Sequence, residues 1–113
     1  MHEMSLAMSV AEIAESTMAQ YPGKRLTAIE LTIGEMAGVE MNAFRTAIDA
    51  VIRTSRWPDA VAEFNMVEAE SCCIECGTRF RPRVFFDSCP ACGSGACSVV
   101  AGMEFRVSAL RME

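Results

Sequence analysis

Two Cys-x-x-Cys-Gly motifs constrain this chain of 113 residues more than any other feature of its sequence. They are Cys73-Ile74-Glu75-Cys76-Gly77 and Cys89-Pro90-Ala91-Cys92-Gly93. Each motif places two thiols on one side of a tight loop, and two such loops can close a tetrahedron of sulfur around zinc. The glycine after each second cysteine can take the positive φ that such a turn requires. The sequence therefore predicts a structural zinc site at Cys73, Cys76, Cys89 and Cys92.

The alternatives to zinc are structural disulfides and a redox-active dithiol. Disulfides persist in oxidising compartments, whereas this chain opens without a basic region followed by a long apolar segment. We therefore expect a cytoplasmic protein with reduced thiols. Thioredoxin-like chemistry is disfavoured because neither motif is followed by a helical pattern. Two cysteines remain: Cys72 lacks the two-residue gap to Cys76, and Cys97 is interpreted as a small buried apolar residue.

The composition indicates a globular protein, with 51% hydrophobic and 22% charged residues. No apolar run has the length needed to cross a bilayer, so we expect no membrane association. Ten Lys and Arg against fifteen Asp and Glu give a formal net charge of −5. Because nucleic-acid binding depends on neutralising phosphates with basic residues, we also expect no nucleic-acid partner.

Hydrophobic periodicity predicts two helices outside the cysteine motifs. The first runs from Met4 to about Gln20 and ends at Tyr21-Pro22-Gly23. Its predicted core stripe consists of residues at three- and four-residue spacing: Met4, Ala7, Met8, Ala11, Ala14 and Met18. The second helix is predicted over residues 41–54, with Phe44, Ile48, Val51 and Ile52 on its apolar face.

Alternating apolar residues predict three strands, over 25–33, 60–68 and 103–112. Because a two-stranded sheet is marginally stable, we expect the last strand to return and complete a three-stranded sheet on which both helices pack. The predicted class is α+β, with residues 1–70 and 101–113 as the main domain. Residues 71–100 would form an inserted zinc ribbon. We expect this ribbon to be one β-hairpin with Phe80, Val84, Phe85 and Phe86 as its hydrophobic cover.

No catalytic motif is present. The chain has a single histidine, His2, and a zinc ion held by four thiolates has no open position for activating water. Glu35, Glu40 and Asp49 are interpreted as solvated charges, since no base lies near them in the sequence. We therefore do not expect an enzyme.

His2 has the position of a metal ligand. A histidine after the first residue can bind through the Met1 terminal amine, its own amide nitrogen and its Nδ1, in a planar pair of fused chelate rings. This arrangement suits Ni(II) or Cu(II), and the fourth position is left for the Glu3 carboxylate or another backbone nitrogen. The alternative interpretation is a disordered terminus without metal.

These features together resemble the hydrogenase nickel-incorporation proteins of the HypA/HybF family. The resemblance covers essentially the whole chain and includes both cysteine motifs. The other segments that carry it are Met1-His2-Glu3-Met4-Ser5-Leu6-Ala7, Leu31-Thr32-Ile33-Gly34-Glu35, Gly38-Val39-Glu40 and Gly102-Met103-Glu104-Phe105-Arg106-Val107. The chain differs from the family pattern in having Cys72 beside the first predicted ligand and Cys97 beyond the last.

The resemblance implies a cytoplasmic metallochaperone with a nickel site at Met1, His2 and Glu3 and a structural zinc at the four cysteines. Nickel would be cargo, passed on by ligand exchange. The implied partners are a HypB-type GTPase and the precursor of the [NiFe]-hydrogenase large subunit; some relatives also supply urease, with its accessory proteins. The competing hypotheses are a zinc-ribbon adaptor that transfers no nickel and a redox-active dithiol protein.

Overall fold

The computed structural model describes residues 2–113, so Met1 and its expected role in nickel binding lie outside the described residues. The chain has two helices and six strands in this region. In chain order they are α1 (Glu3–Met18), β1 (Leu26–Gly34), α2 (Met41–Arg53), β2 (Val61–Val67), β3 (Glu70–Cys73), β4 (Arg79–Phe80), β5 (Cys97–Ala101) and β6 (Phe105–Met112). The predicted α+β class is confirmed, and both predicted helices and all three predicted strands are present.

The chain divides into two compact units. The first contains the chain up to Thr32, Val39–Asn65 and Arg106–Glu113, and the second contains Ile33–Gly38 and Met66–Phe105. The second unit therefore includes the predicted ribbon together with short flanking segments. Among the described residues, no helix is long and apolar enough to cross a membrane.

The first sheet has the strand order β2-β1-β6. Arg25 and Glu113 exchange backbone hydrogen bonds of 2.8 and 2.9 Å, which join the start of β1 to the end of β6 in antiparallel orientation. The predicted return of the last strand is confirmed. Because β1 has a hydrogen-bonded neighbour on each side, it is the central strand and is almost entirely buried.

The core of the first unit lies between β1 and the two helices. Ala7, Val10, Ala14 and Met18 are buried on α1, and Phe44, Ala47, Ile48 and Ile52 are buried on α2. Phe44 also contacts the Phe64 ring of β2 edge to face, with a centroid distance of 6.1 Å. The helices thus cover the sheet with their apolar faces, as amphipathic helices do.

The core face of α1 differs from the predicted stripe. Met4 and Met8 are 50% and 55% exposed, whereas Val10 is buried. Buried positions 7, 10, 14 and 18 follow the helical period, and positions 4 and 8 lie on a neighbouring face. Since both faces are apolar in sequence, periodicity could not tell which one would be buried. The methionines therefore form part of the surface of the first unit.

The second unit contains a three-stranded sheet of order β4-β3-β5 instead of the predicted single hairpin. Strand β3 pairs antiparallel with both neighbours. The predicted hydrophobic cover is wrong for its last three members, since Val84, Phe85 and Phe86 are exposed, Phe86 by 87%. Pro82 follows β4 by two residues and lacks the N–H that would extend the pairing.

The exposed segment after Pro82 is a turn closed by an ion pair. Arg83 donates its backbone N–H to Asp87 at 2.9 Å and two guanidinium hydrogen bonds at 3.1 and 3.0 Å to the same carboxylate. These bonds, the Arg83 side chain first, lower the pKa of Asp87 to about 2. The turn is held by polar contacts, while Phe85 and Phe86 stack edge to face on its outer side at 5.0 Å.

Two glycines of the second unit allow a close backbone approach. Met36 N–H donates to the Gly102 carbonyl at 2.7 Å, beside Gly34. A Cβ built on Gly34 would lie 2.1 Å from the Gly102 carbonyl carbon, and one built on Gly102 would lie 2.5 Å from Ala69 Cα. Because the obstructing atoms are backbone, no side-chain rotation could relieve either contact.

We therefore predict that Gly34→Ala lowers the free energy of unfolding by about 2–4 kcal/mol, because backbone segments would have to separate. Gly95→Ala is the matched control, since a Cβ there meets no atom within 4 Å. It should change stability by less than about 0.5 kcal/mol. Urea unfolding followed by circular dichroism measures both. Equal midpoints for the two variants would contradict the close approach.

Candidate metal centre

Both cysteine motifs fold into the same turn. In the first, Gly77 N–H donates to the Cys73 carbonyl and Cys73 N–H to the Thr78 carbonyl, each at 2.9 Å. The second motif repeats this pattern with bonds of the same length, from Gly93 to Cys89 and from Cys89 to Ser94. Gly77 and Gly93 both have φ of 77°, which confirms the predicted positive φ. Each turn therefore directs its two cysteines to one side.

The two turns bring four sulfur atoms together. The Sγ atoms of Cys73, Cys76, Cys89 and Cys92 all lie within 4.8 Å of one another. The Cys73–Cys92 and Cys76–Cys89 sulfur pairs are each 3.6 Å apart, too far for a disulfide, and all six cysteines are free. Zinc–sulfur bonds of about 2.3 Å in a tetrahedron require sulfur atoms about 3.8 Å apart. The cluster therefore has the size and donor set of a tetrahedral thiolate metal site.

Hydrogen-bond donors around the cluster favour negative sulfur. Cys76 N–H lies 3.5 Å from the Cys73 sulfur, and this bond is the main cause that lowers the pKa of Cys73. The Thr78 hydroxyl lies 3.1 Å from the Cys76 sulfur, and Thr78, through its hydroxyl and then its backbone, lowers the pKa of Cys76 to about 6. These hydrogen bonds favour the thiolate form of Cys73 and Cys76, which is the form that binds metal.

Not all four thiols can ionise by themselves. Hydrogen bonding by the Ser94 backbone favours the Cys92 thiolate, but the neighbouring Cys73 sulfur, burial and the other sulfurs together raise the pKa of Cys92 to about 12. Like charges held this close repel strongly in a partly buried site. A bound divalent cation would remove this repulsion, so the electrostatics fit the metal site that the geometry indicates.

Cys72 and Cys97 lie outside the group of four. The Cys72 sulfur is 3.8 Å from the carbonyl oxygens of Cys73 and Gly77. Cys97 lies opposite Cys73 in the β3–β5 pair and is half-buried, with its sulfur 3.5 Å from the Ser94 carbonyl. Burial, followed by the charge of Cys73, raises the pKa of Cys97. Cys97 is therefore a neutral thiol beside the cluster.

Thr78 and Ser94, which follow the two glycines, were not among the predicted site residues. Thr78 and Ser94 accept the first cysteine's N–H of their own turn, and the Thr78 hydroxyl contacts Cys76. A signal was available, because each motif continues with a hydroxyl residue, as Cys-Gly-Thr and Cys-Gly-Ser. The repeated unit is therefore six residues long and includes a partner for the thiolates.

The described part of the predicted nickel site lies at the start of α1. His2 precedes the helix and is exposed; its carbonyl accepts the Leu6 N–H at 2.9 Å, and its side chain makes no capping hydrogen bond. Its amide N–H precedes the helix and is not needed for helical hydrogen bonds. Both nitrogens that a chelate would take from His2 are therefore left free of helix-forming contacts.

Glu3 is buried and joins the two helices. Its Oε2 accepts the Glu40 N–H at 3.0 Å, and the Glu40 carboxylate caps α2 by accepting the Ala43 N–H at 2.6 Å. Glu40 was expected to be a solvated charge; it is exposed, and its carboxylate in addition forms the N-cap of a helix. The structure thus places His2 and Glu3 side by side, with the Glu3 carboxylate already held by a structural contact.

The fold and the cysteine cluster define a small α+β protein with four cysteines placed so that they could hold a metal ion. Comparison with known proteins identifies the family: residues 1–112 match the model described as "Hydrogenase/urease nickel incorporation, metallochaperone, hypA". The chain belongs to the HypA family, as its sequence motifs indicated. Because this is a family of metallochaperones and maturation factors, the protein is not an enzyme.

Similar proteins span the whole chain. The proteins named hydrogenase maturation factor HypA from Geobacter metallireducens and Geobacter sulfurreducens are each 38% identical over all of both chains, and that from Prosthecochloris aestuarii is 32% identical. The solution structure of the Ni metallochaperone HypA from Helicobacter pylori superposes with a TM-score of 0.67 at 24% identity, covering 99% of this chain and 97% of that one. A second HypA solution structure gives 0.73 at 23% identity, covering 100% and 97%. The two structures show the same fold.

We predict that Cys76→Ser and Cys92→Ser each abolish binding of one metal ion per chain, since each removes a corner of the tetrahedron. Cys97→Ser and Cys72→Ser are the matched controls and should keep the full metal content. Elemental analysis of reduced, purified protein measures this. Loss of metal from either control, or retention by both ligand variants, would show that the donor set is different.

Proposed function

We propose that this protein is a cytoplasmic nickel metallochaperone that binds Ni(II) through the Met1 amine, His2 and Glu3 and delivers it to the [NiFe]-hydrogenase large-subunit precursor. The observation that carries the proposal is the family match over residues 1–112 in a chain whose His2 is exposed at the start of α1. Nickel is the cargo in this mechanism, and the protein catalyses no reaction.

The chemistry of the N-terminus supports reversible nickel binding. Amine, amide and imidazole nitrogens in one plane match the tetragonal preference of Ni(II). The positive end of the α1 dipole disfavours a cation bound there. The negative charges of a deprotonated His2 amide and of the Glu3 carboxylate would offset this unfavourable interaction. His2 is exposed, so an incoming donor can reach the metal and replace one ligand at a time. The site is thus suited to exchange.

The four cysteines would hold zinc in a structural role. Cys73, Cys76, Cys89 and Cys92 fill all four tetrahedral positions, so the metal would have no open position for chemistry. Bound zinc would supply the positive charge that lets four neighbouring sulfurs ionise together. The proposed zinc therefore stabilises the fold of residues 71–100, which we propose as a domain distinct from residues 1–70 and 101–113.

The proposed partners follow from the maturation role. A HypB-type GTPase would act with this protein in nickel insertion, and the large-subunit precursor would receive the metal. Urease accessory proteins are proposed as additional partners because the family description includes urease nickel incorporation.

A zinc-ribbon adaptor that transfers no nickel is the second candidate. The observation that favours it is the exposed turn formed by Val84, Phe85 and Phe86, whose aromatic pair could bind a protein surface. Nickel titration separates the two functions, because an adaptor would show no stoichiometric nickel binding at its N-terminus.

We predict that His2→Ala abolishes specific nickel binding while zinc content and helical signal stay unchanged. His2 supplies two of the proposed donors, and its side chain makes no capping hydrogen bond in the fold. Acidification should also weaken binding, because protons compete with nickel for the amine and the imidazole. Calorimetry on untagged protein at two pH values measures both effects.

A Gly-Ser extension before Met1 is the matched control for the terminal amine. The extension keeps His2 but converts the amine into an amide and removes one chelate ring, so it should weaken nickel binding nearly as much as His2→Ala. Equal nickel affinity in the wild type, the extended form and His2→Ala would refute the N-terminal site and leave the cysteines as the nickel ligands.

The domain proposal makes a separate prediction. Cys76→Ser should disorder residues 71–100, because structural zinc contributes folding free energy on the order of 10 kcal/mol. Helical circular dichroism should persist, since α1 and α2 are in the first unit with residues 26–32 of β1 and share its buried core. Collapse of the helical signal in Cys76→Ser would mean that the main domain does not fold without the ribbon.

A further inference from the structure

The outer surface of α1 and α2 contains an apolar groove that the metal sites do not use. Its floor consists of Met4, Met8 and Ala11 from α1 and Ala50 and Val51 from α2. The groove encloses about 510 Å³. The two methionines are the residues of α1 that sequence periodicity assigned to the core and that the structure leaves half exposed. Such an apolar face needs an explanation other than core packing.

The rim of the groove is acidic. Glu12 and Glu15 line it on α1, both are exposed, and neither forms an ion pair with another residue in the part of the chain that the structure describes. Five arginines elsewhere, in contrast, are paired with acidic side chains. The uncompensated carboxylates beside an apolar floor would attract basic residues of a bound partner.

The groove begins next to the proposed nickel site. Met4 is two residues beyond His2, in the first turn of α1, and Glu15 lies about three turns further along the same helix. The groove and the exposed His2 are therefore at the same end of α1. Ligand exchange requires such proximity, since the incoming donor must contact the metal before the old donors leave.

We propose that this groove binds an amphipathic helix with basic residues along its edges, presented by the protein that exchanges nickel with His2. The proposal rests on the proposed metallochaperone function and names its docking surface. The apolar face of the partner helix lies on Met4, Met8 and Val51, and its Lys or Arg side chains face Glu12 and Glu15. This is the helix-in-groove mode of recognition, in which flexible methionines adapt to the incoming side chains.

The acidic rim disfavours the other occupants. Two copies of this chain meeting through the groove would bring Glu12 and Glu15 of both copies into one interface, to which the groove lining contributes no Lys or Arg to pair with them. An anionic membrane surface would be repelled by the same carboxylates and by the net charge of −5. A basic amphipathic helix of a protein partner is complementary to both features, because it would cover the apolar floor and pair with the acidic rim.

Calorimetry with two kinds of probe tests the proposal: the HypB-type GTPase and large-subunit precursor as protein partners, and a pair of synthetic amphipathic helices of about 18 residues. One peptide has Leu on its apolar face and Lys along its edges. The other has the same Leu residues and Glu in place of each Lys. Wild-type protein should bind at least one protein partner and the Lys peptide, and should bind the Glu peptide at least about tenfold more weakly.

Matched substitutions then localise the binding. Met8→Lys should weaken both the protein complex and the Lys peptide by about tenfold or more, and Glu15→Lys by about threefold to tenfold. Ile13→Lys and Asp49→Lys are the controls, because Ile13 is 48% exposed on the same helix outside the groove and Asp49 is an exposed acid of α2 outside it. The affinity of both control variants for the partner and the Lys peptide should stay within about twofold of that of the wild type, and this range includes the small loss that the added positive charge causes in each.

Three results would overturn the proposal: unchanged binding in Met8→Lys, equal losses in Met8→Lys and Ile13→Lys, or equal affinity for the two peptides. Groove-dependent self-association or binding to anionic vesicles would also overturn it by showing a different occupant. Nickel titration of the same variants separates the two hypotheses. Met8→Lys should keep wild-type nickel affinity, and His2→Ala should still bind the partner helix. If the wild-type protein binds the partner through the groove but binds no nickel at its N-terminus, only the metallochaperone function is refuted.

Discussion

Four sulfur atoms within 4.8 Å impose the constraint on which the second unit depends. Hydrogen bonds from Thr78 lower the pKa of Cys76 to about 6. At Cys92 the Ser94 backbone favours the thiolate, but the neighbouring Cys73 sulfur and burial outweigh it and raise the pKa to about 12, so the four thiols do not ionise together. Strand β3 ends and β5 begins at this cluster, and Val84, Phe85 and Phe86 are exposed and do not form a core over it. A metal ion would thus take over the stabilising role that buried apolar surface has in larger domains.

Local patterns made most of the fold predictable. Helical and alternating periodicity located α1, α2 and the three strands of the first sheet, because these signals depend on neighbours within a few residues. Which of two equally apolar faces of a helix is buried was not predictable. Apolar residues occur on two faces of α1, and only the packing partners decide that Val10 is buried and Met8 is not. Thr32 is similar: it is buried in the central strand because its hydroxyl donates to Ser108 Oγ at 2.9 Å.

The four cysteines could be assigned from sequence because each turn is a local unit whose hydrogen bonds stay within six residues. Contacts between distant residues left no such signal. The Glu3 carboxylate accepts an N–H from Glu40, 37 residues away, and Glu35 forms two hydrogen bonds of 2.9 Å with Arg81, 46 residues away. Glu35 is exposed, as expected of a solvated charge, but it also accepts the Ala69 N–H. Such pairs depend on topology, and a single sequence does not encode them in any spacing.

The two proposed metal sites differ in the way that their roles require. The thiolate site is formed by two turns whose backbone hydrogen bonds hold the cysteines in position, with Cys73 and Cys89 buried and Cys76 and Cys92 exposed. The N-terminal site has an exposed histidine whose side chain takes no part in capping α1, and only the Glu3 carboxylate is held by a contact with α2. Donors held in a fixed cage release metal slowly, whereas donors at an exposed chain end can leave one at a time. A structural ion belongs in the first kind of site and a transferable cargo in the second.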